Sequence, residues 1–546
     1  MRFLPASDTA LLVELADLDH ALALYRAAQA QPIAGVQELV PAARTLLVHY
    51  RPEAIAPATL VAALRQRAAA ADLGPADGVA ARCVEIPVRY DGEDLAEVAE
   101  LLGISAAELI ARHSGQPWQA AFAGFAPGFV YLAGGHPSFR AIPRRPTPRT
   151  RLPAGSVALA GDFSAVYPAA SPGGWQLIGV TDVPMWDLRR AEPAYVQPGF
   201  QVQFTDAAAS GRHISLPPIT ESASNRPPAP VQRAPAAIEF ESIGLQTLVQ
   251  DAGRHGMAGL GISPSGALDQ PAMRQANRLV GNPVHTPVLE NLLGGLRLRC
   301  HGHATLAVTG AAVPLTLHSA DGRQWPLPSH AVVALDDGDV LAVGAPTAGV
   351  RCYVAVRGGW QVAPVLGSCA TDTLAHVGPP ALQAGQRIAI GALPPQALRA
   401  TQPAEVAPVN LPRPGDEVTL DVLAGPRTDW FTRDALALLT QQTWQVTPQS
   451  NRIGLRLHGA QPLARARHDE LPSEGTVTGA IQVPAGGQPV LFLADHPLTG
   501  GYPVIAAVAR HHLPLAAQLP VDCRLRFRLV APFADLGAAE TTAPTA

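Results

Sequence analysis

Apolar and polar residues follow one another in short runs along this chain, and the period of the pattern changes from place to place. Leu11–Leu15 is a short apolar run of strand length, and Leu18–Ala30 repeats its apolar positions at helical spacing. Val36–Val40 and Thr45–Tyr50 predict two more strands. Ala58–Ala70 sets Leu60, Val61 and Leu64 on one helix face, and Cys83–Tyr90 puts Val84, Ile86, Val88 and Tyr90 on one side of a strand. Residues 1–90 therefore predict strand, helix, strand, strand, helix, strand, the order of a ferredoxin-like module. Asp94–His113 reads as a helical pair broken at Leu101–Leu102–Gly103, with Ser105 and Glu108 as a capping box for the second helix.

Beyond Phe122 the helical period gives way to strands. Ser156–Ala160, Gln176–Val180 and Gln201–Phe204 are separated by proline and glycine turns, which predicts a small β-barrel or sandwich over 91–216. Residues 217–237 hold six prolines and almost no large apolar residue, so they read as a linker between two halves. In the second half, 238–535, Asp269 is placed to cap a helix that carries Pro271 in its first turn and ends at Gly281. Val340–Val343, Tyr353–Val356 and Val418–Leu423 predict strands, and Thr432–Gln442 a further helix. The last residues, 536–546, read as a disordered tail. The fold class is α+β and β-rich, with a ferredoxin-like module followed by barrel-like domains.

Length and composition change this picture in three ways. A chain of 546 residues exceeds the ~250–300 residues at which single cores stop growing, so several domains are expected. A net charge of −4 argues against a general nucleic-acid binder, and no apolar run is long enough to span a bilayer. Five scattered cysteines and an opening without a signal-peptide pattern predict reduced thiols in a cytoplasmic protein. All 40 basic residues are arginine, so a Walker A lysine, a Schiff-base lysine and a biotin-carrying lysine are all excluded from this chain.

The chemistry-bearing residues sit on glycine- and proline-rich turns. Within Phe122–Asp182, Arg144, Arg145, Arg149 and Arg151 lie among Phe125, Phe129, Tyr131, Tyr167 and Trp175. Arginine grips carboxylate or phosphate bidentately, so an anion pocket is expected from Arg144, Arg149 and Arg151. Its frame would be Gly124, Phe125, Pro127, Gly128, Tyr131, Ser156, Ser171, Gly173, Gly174 and Trp175. A turn-rich sheet with a solvated arginine face accounts for the same composition equally well. His113 closes a helix beside this stretch, where capping is the ordinary role and catalysis the alternative. In the second half Asp251, Arg254, Ser265, Gly266, Asp269, Asn277, Asn451, Arg452, Ser473, Gly475, Gln482, Asp495, Gly500, Gly501 and Tyr502 form a second group of binding candidates. Asp251 and Glu474 are the candidate acids or bases, and no metal-ligand motif is present.

The blocks GFAPGFVYL, TPRTRLPAGSVALAG and YPAASPGGWQLIG resemble, in order, the family of allophanate hydrolase subunit 1, also described as the 5-oxoprolinase B subunit. LQTLVQDAGRHG, SGALD, ANRLVGN, SNRIGLRL, SEGTVTGAIQVP and TGGYPVIA resemble allophanate hydrolase subunit 2, or the 5-oxoprolinase C subunit. The resemblance implies a fusion of the two, with cyclophilin-like barrels and ATP-dependent opening of L-5-oxoproline. ATP with Mg²⁺ is the implied cofactor. A separate 5-oxoprolinase A subunit of the LamB/YcsF type and a small-molecule substrate are the implied partners, alongside self-association into a homo-oligomer. A biotin-dependent carboxyltransferase like that of urea carboxylase, or a kinase-inhibitor-type regulator, are the alternatives. The Phe122–Asp182 face is expected to meet the Ser265–Asp269 and Ser473–Tyr502 loops across one cleft.

Overall fold

A computed structural model describes residues 1–73, 82–210 and 236–538. Residues 217–235 of the expected linker and 539–546 of the expected tail lie outside the described residues. The N-terminal module has strands β1 (Arg2–Ser7), β2 (Ala10–Glu14), β3 (Val36–Pro41) and β4 (Thr45–Tyr50), with helices α1 (Leu18–Ala30) and α2 (Pro57–Ala70). The antiparallel sheet runs β1-β2-β4-β3. Alternation along its strands sends Phe3, Leu11, Val13, Leu46 and Val48 to the helices, into a core with Leu24, Leu60 and Leu64. Leu4, Leu12 and Leu47 point the other way, into a second core shared with Val477, Phe492, Leu498 and Val504 of the second half. A sheet buried on both faces has no polar face to show, which is why Leu11–Leu15 reads as a continuous apolar run.

One expectation for this module is corrected. Strand β5 (Cys83–Val88) leaves the module and pairs in parallel with β13 (Gln201–Asp206) in the neighbouring sheet. The edge position beside β2 is taken by β1, through a tight hairpin in which Ser7 pairs with Ala10. Helices α3 (Leu95–Leu101) and α4 (Ala106–Ser114) follow, and the Ser105 hydroxyl accepts from Glu108 N, as its cap position predicts. Strands β6 (Trp118–Ala123), β7 (Val130–Gly134), β8 (Arg149–Leu152), β9 (Ser156–Ala160), β10 (Phe163–Val166), β11 (Ser171–Gly173) and β12 (Gln176–Val180) complete this unit. Its seven-stranded sheet runs β12-β9-β10-β7-β6-β13-β5, and a bridge between Arg89 and Val180 brings its two ends together into a barrel-like form.

The second half contains two units. A six-stranded and a five-stranded sheet face each other over a core that includes Ile238, Phe240, Leu289 and Val354. The helix Gln270–Val280 packs beside them, capped by Asp269, whose carboxylate accepts from Ala272 N at 3.0 Å, and ended by Gly281 at φ 74°. Seven further strands, from Glu417–Ala424 to Arg524–Ala531, form a closed barrel. The linker boundary is corrected at one end, because Ala237 begins the strand Ala237–Ile243. The tail boundary moves too: Leu536 packs on the N-terminal module and its amide donates to Phe3 O at 2.9 Å.

The closed barrel is tied to both neighbours by buried arginines. Arg427 donates from Nε to Glu474 Oε2 at 2.8 Å and from Nη1 to Glu14 Oε1, of strand β2, at 2.9 Å. Arg452 donates to both oxygens of Asp495, at 2.9 and 3.0 Å, and to Glu290 of the two-sheet unit. Removing one partner from a buried pair leaves a charge uncompensated. Arg427→Ala is therefore expected to lower unfolding stability by about 3–5 kcal/mol in urea titrations. The matched change Arg427→Met with Glu474→Gln and Glu14→Gln should recover most of that loss; an unchanged midpoint for Arg427→Ala would contradict this account.

Candidate functional site

A cleft of about 1020 Å³ opens where the N-terminal module, the first barrel-like unit and the second half meet. The module supplies Asp17, Leu18 and Arg44, the barrel Tyr131, Phe139, Arg140, Arg144 and Trp175, and the second half the segment Glu470–Ser473. Its inner end is a polar cluster assembled from both halves. Tyr131 OH donates to Ser473 Oγ at 3.1 Å, and Arg144 Nη2 donates to the same oxygen at 3.3 Å. Thr499 Oγ1 lies 3.5 Å from Tyr131 OH and accepts from Phe125 N at 3.0 Å. Phe125 sits in the left-handed region at φ 62°, a strained place for an aromatic residue, held there by its packing against Phe129 and Tyr167.

The seam beside this cluster is made by glycines. A Cβ on Gly124 would overlap the Thr499 side chain, one on Gly261 would come within 2.5 Å of Ala126 O, and one on Gly475 within 2.7 Å of Leu47. Gly128 N donates across the same seam to Leu260 O at 3.1 Å. Backbones approach this closely only where side chains are absent. Gly124, Phe125 and Gly128 therefore join the halves, Pro127 is buried in the same turn, and Tyr131 and Trp175 face the cleft.

The arginine prediction divides. Arg144 alone of the three reaches the cleft. Arg149 is corrected: its two terminal nitrogens grip Asp94 at 2.8 Å each, and Nη2 also meets Glu93 at 2.9 Å. Arg145 pairs with Asp94 at 2.5 Å, and Arg151 is exposed on β8. Burial would raise the Asp94 carboxyl, but Arg149, the Leu177 amide and Arg145 outweigh it and hold that carboxyl below the usual range. These arginines anchor α3 to the barrel. Ser156 donates to Pro153 O, Ser171 and Gly173 pair with β8, and Gly174 O accepts from Arg145 N, so these four also build the frame and lie outside the cleft lining.

The three candidate catalytic residues are likewise placed in structural roles. His113 is fully buried, with Nδ1 2.8 Å from Tyr90 OH and Nε2 2.9 Å from Ser164 Oγ, and burial pushes it down to about 3. It is a satisfied core histidine, neutral at any ordinary pH. Asp251 ties a turn, accepting from Gly253 N, Ser368 Oγ and Cys369 N at 2.7–2.9 Å. Glu474 is committed to Arg427 on the strand face opposite the cleft-lining Ser473.

The remaining second-half candidates fall mostly into the buried charge network. Ser265 Oγ donates to Asp495 at 2.6 Å, Gly266 O accepts from Arg452, and Asp269 accepts from Gln518 at 2.9 Å. Arg254 donates to three carbonyls, of Val365, Ser368 and Ala370. Asn277 is a core residue that donates to Thr286 O, and Asn451 orders an exposed turn. Gln482 donates to Tyr502 O, and Gly500 pairs with Glu474. Ser473 and Gly501 are the ones brought to Arg144. Of the Ser473–Tyr502 loops, Ser473 lines the cleft shared with the first half, and Thr499 and Gly501 lie against Tyr131 and Arg144, whereas Ser265–Asp269 is buried elsewhere. Thr499 was legible from the sequence as a hydroxyl on the TGGY turn, whereas Glu470, just before SEG, carried no signal of its own.

Two family comparisons fit this layout. Residues 1–196 match the carboxyltransferase domain, subdomains C and D, and residues 260–529 match its subdomains A and B. The chain belongs to the carboxyltransferase-domain family, with both subdomain pairs fused in one polypeptide. Its second half is 38% identical to the 5-oxoprolinase C subunit of Escherichia coli K12 over 288 residues, 52% of this chain and 88% of that protein. Its first half is 36% identical to the 5-oxoprolinase B subunit of Bacillus subtilis 168 over 205 residues, 36% of this chain and 84% of that protein. The crystal structure of TTHA0988 is 33% identical with a TM-score of 0.78, covering 95% of this chain and all of that one.

Arg149→Ala is expected to cost about 1–3 kcal/mol of stability through the buried Asp94, without changing affinity for a ligand of the cleft. The Asp94 carboxyl lies below its unfolded value, so its contribution is full above about pH 4 and fades as the pH falls further. The gap between wild type and Arg149→Ala should then narrow in acid. A gap that widens below pH 4, or a loss of ligand affinity, would refute the anchoring role.

Proposed function

We propose that this chain is the joined B and C component of an ATP-dependent 5-oxoprolinase, opening L-5-oxoproline to L-glutamate with a separate A subunit. The observation that carries the reading is Arg144, a guanidinium at the inner end of the inter-half cleft. Its nearest carboxylate, Glu470, stands 4.0 Å from Nε and is half exposed. Arg144 is thus left to meet a substrate carboxylate, while Arg145 and Arg149 are neutralised by Asp94. The names of relatives covering both halves support the same reading.

The polar cluster suits a lactam. Ser473 Oγ already accepts from Tyr131 and Arg144, so both its lone pairs are used and its own proton is free to donate to a carbonyl oxygen. A lactam carbonyl is held inert by resonance, and phosphorylation of its oxygen makes the carbon open to water. ATP with Mg²⁺ supplies that phosphoryl group when bound. In this chain Arg44 and Arg140 line the same cleft, and Arg140 makes no hydrogen bond or ion pair among the described residues, so it is available to phosphate. The volume is ample for a small lactam and a nucleotide together. Glu470, beside Arg144, is the carboxylate placed to accept a proton from attacking water.

The test is phosphate release by the full chain mixed with the A subunit. L-5-Oxoproline should be required for it, and Arg144→Ala should raise KM at least about tenfold, the loss expected when a buried charge pair is broken. Carboxyl transfer from carboxybiotin without oxoproline-dependent ATP hydrolysis would overturn the proposal in favour of a carboxyltransferase.

A further inference from the structure

Arg144 belongs to the first half, yet the second half supplies the groups that hold it. Its Nη2 donates to Ser473 Oγ at 3.3 Å, and its backbone amide donates to Glu470 Oε1 at 3.0 Å. The third contact is steric. A Cβ at position 501 would overlap Arg144 Nη1 and stand 3.2 Å from both Cζ and Nη2.

Gly501 differs from the seam glycines in what its missing side chain serves. It is not among the residues with positive φ, so left-handed backbone does not reserve the position for glycine. The three atoms nearest an added methyl belong to the far end of one long side chain, that of Arg144. At Gly124, by contrast, the obstacle is the short side chain of Thr499, and at Gly261 it is the backbone of Ala126. A methyl at 501 would therefore move the guanidinium and leave the fold in place. The guanidinium occupies the space that a side chain at 501 would enter.

We infer that Gly501 is a positioning residue, whose bare backbone fixes where the Arg144 guanidinium lies in the cleft. The recognition end of the cleft then exists only when the two halves are docked, since one half supplies the cation and the other its seat. This rests on the reading of Arg144 as the group that meets the substrate carboxylate. It extends that reading by assigning the orientation of the cation, and with it selectivity for where a carboxylate stands on the ligand, to the second half.

The test is Gly501→Ala in the full chain, alone and combined with Arg144→Ala. Thermal unfolding should be nearly unchanged, and a crystal structure of Gly501→Ala should show the guanidinium displaced by about 1 Å or more. Misplacement on that scale costs up to about a hundredfold. Calorimetric titration with L-5-oxoproline should accordingly show affinity weakened about ten- to hundredfold. When the A subunit is present, KM should rise while kcat holds. In the Arg144→Ala background, Gly501→Ala should add nothing, because its effect passes through the missing guanidinium. An unmoved guanidinium, or a loss that adds in full to that of Arg144→Ala, would overturn the inference. If wild type binds no L-5-oxoproline, the substrate reading fails, and the crystal structure of Gly501→Ala alone then decides the positioning claim.

Discussion

The guanidinium of Arg427 is the interaction on which the arrangement of this molecule most depends. It lies inside the protein between Glu474 of its own barrel and Glu14 of the N-terminal module. Burying a charge is costly unless it is paired, so this arginine is tolerable only while the module is docked on the barrel. Arg452 repeats the device on another side, held between Asp495 of the barrel and Glu290 of the two-sheet unit. The barrel thus carries two buried cations, each satisfied in part by a neighbour. Apolar packing adds to this, because Leu4, Leu12 and Leu47 of the module sheet share a core with Phe492 and Val504. The cleft inherits its walls from that docking.

Close backbone approach then sets the shape of the cleft's inner end. Gly124 and Gly261 let the turn of the first half lie directly against the second, and the Gly128 amide bonds across to Leu260 O. Tyr131 and Arg144 of the first half meet Ser473 and Thr499 of the second at that seam, across more than 300 residues of chain. A hydroxyl with both lone pairs engaged and a cation with little competition are useful to an anionic amide, and each depends on residues from both halves. Tethering the halves keeps their effective concentration high whatever the dilution of the protein.

Local features were legible from the sequence, and long-range pairings were not. Ser105 and Asp269 cap helices and Gly281 ends one, because capping is decided within a few residues. The departure of β5 was hidden, since Cys83–Val88 carries the pattern of any half-buried strand and only its partner β13 shows where it goes. Arg149 looked like a pocket residue because its partner Asp94 lies 55 residues away and carries no motif. His113 sat beside the aromatic block in sequence but inside a core in space. Arg427 had no local signal at all. Of the candidate site, Arg144, Tyr131, Trp175, Ser473 and Gly501 were readable as members of polar, glycine-rich blocks. Which of those blocks face one another was a matter of docking, and docking is written in buried charges and missing side chains spread over the whole chain.

The central claim is that the inter-half cleft, through Arg144, is where the substrate carboxylate is held. A crystal structure of the full chain grown with L-5-oxoproline tests it most directly. The account predicts the carboxylate within hydrogen-bond reach of Arg144, with the lactam oxygen turned to Ser473. Ligand seated away from the cleft, or in it with its carboxylate turned from Arg144, would contradict the account.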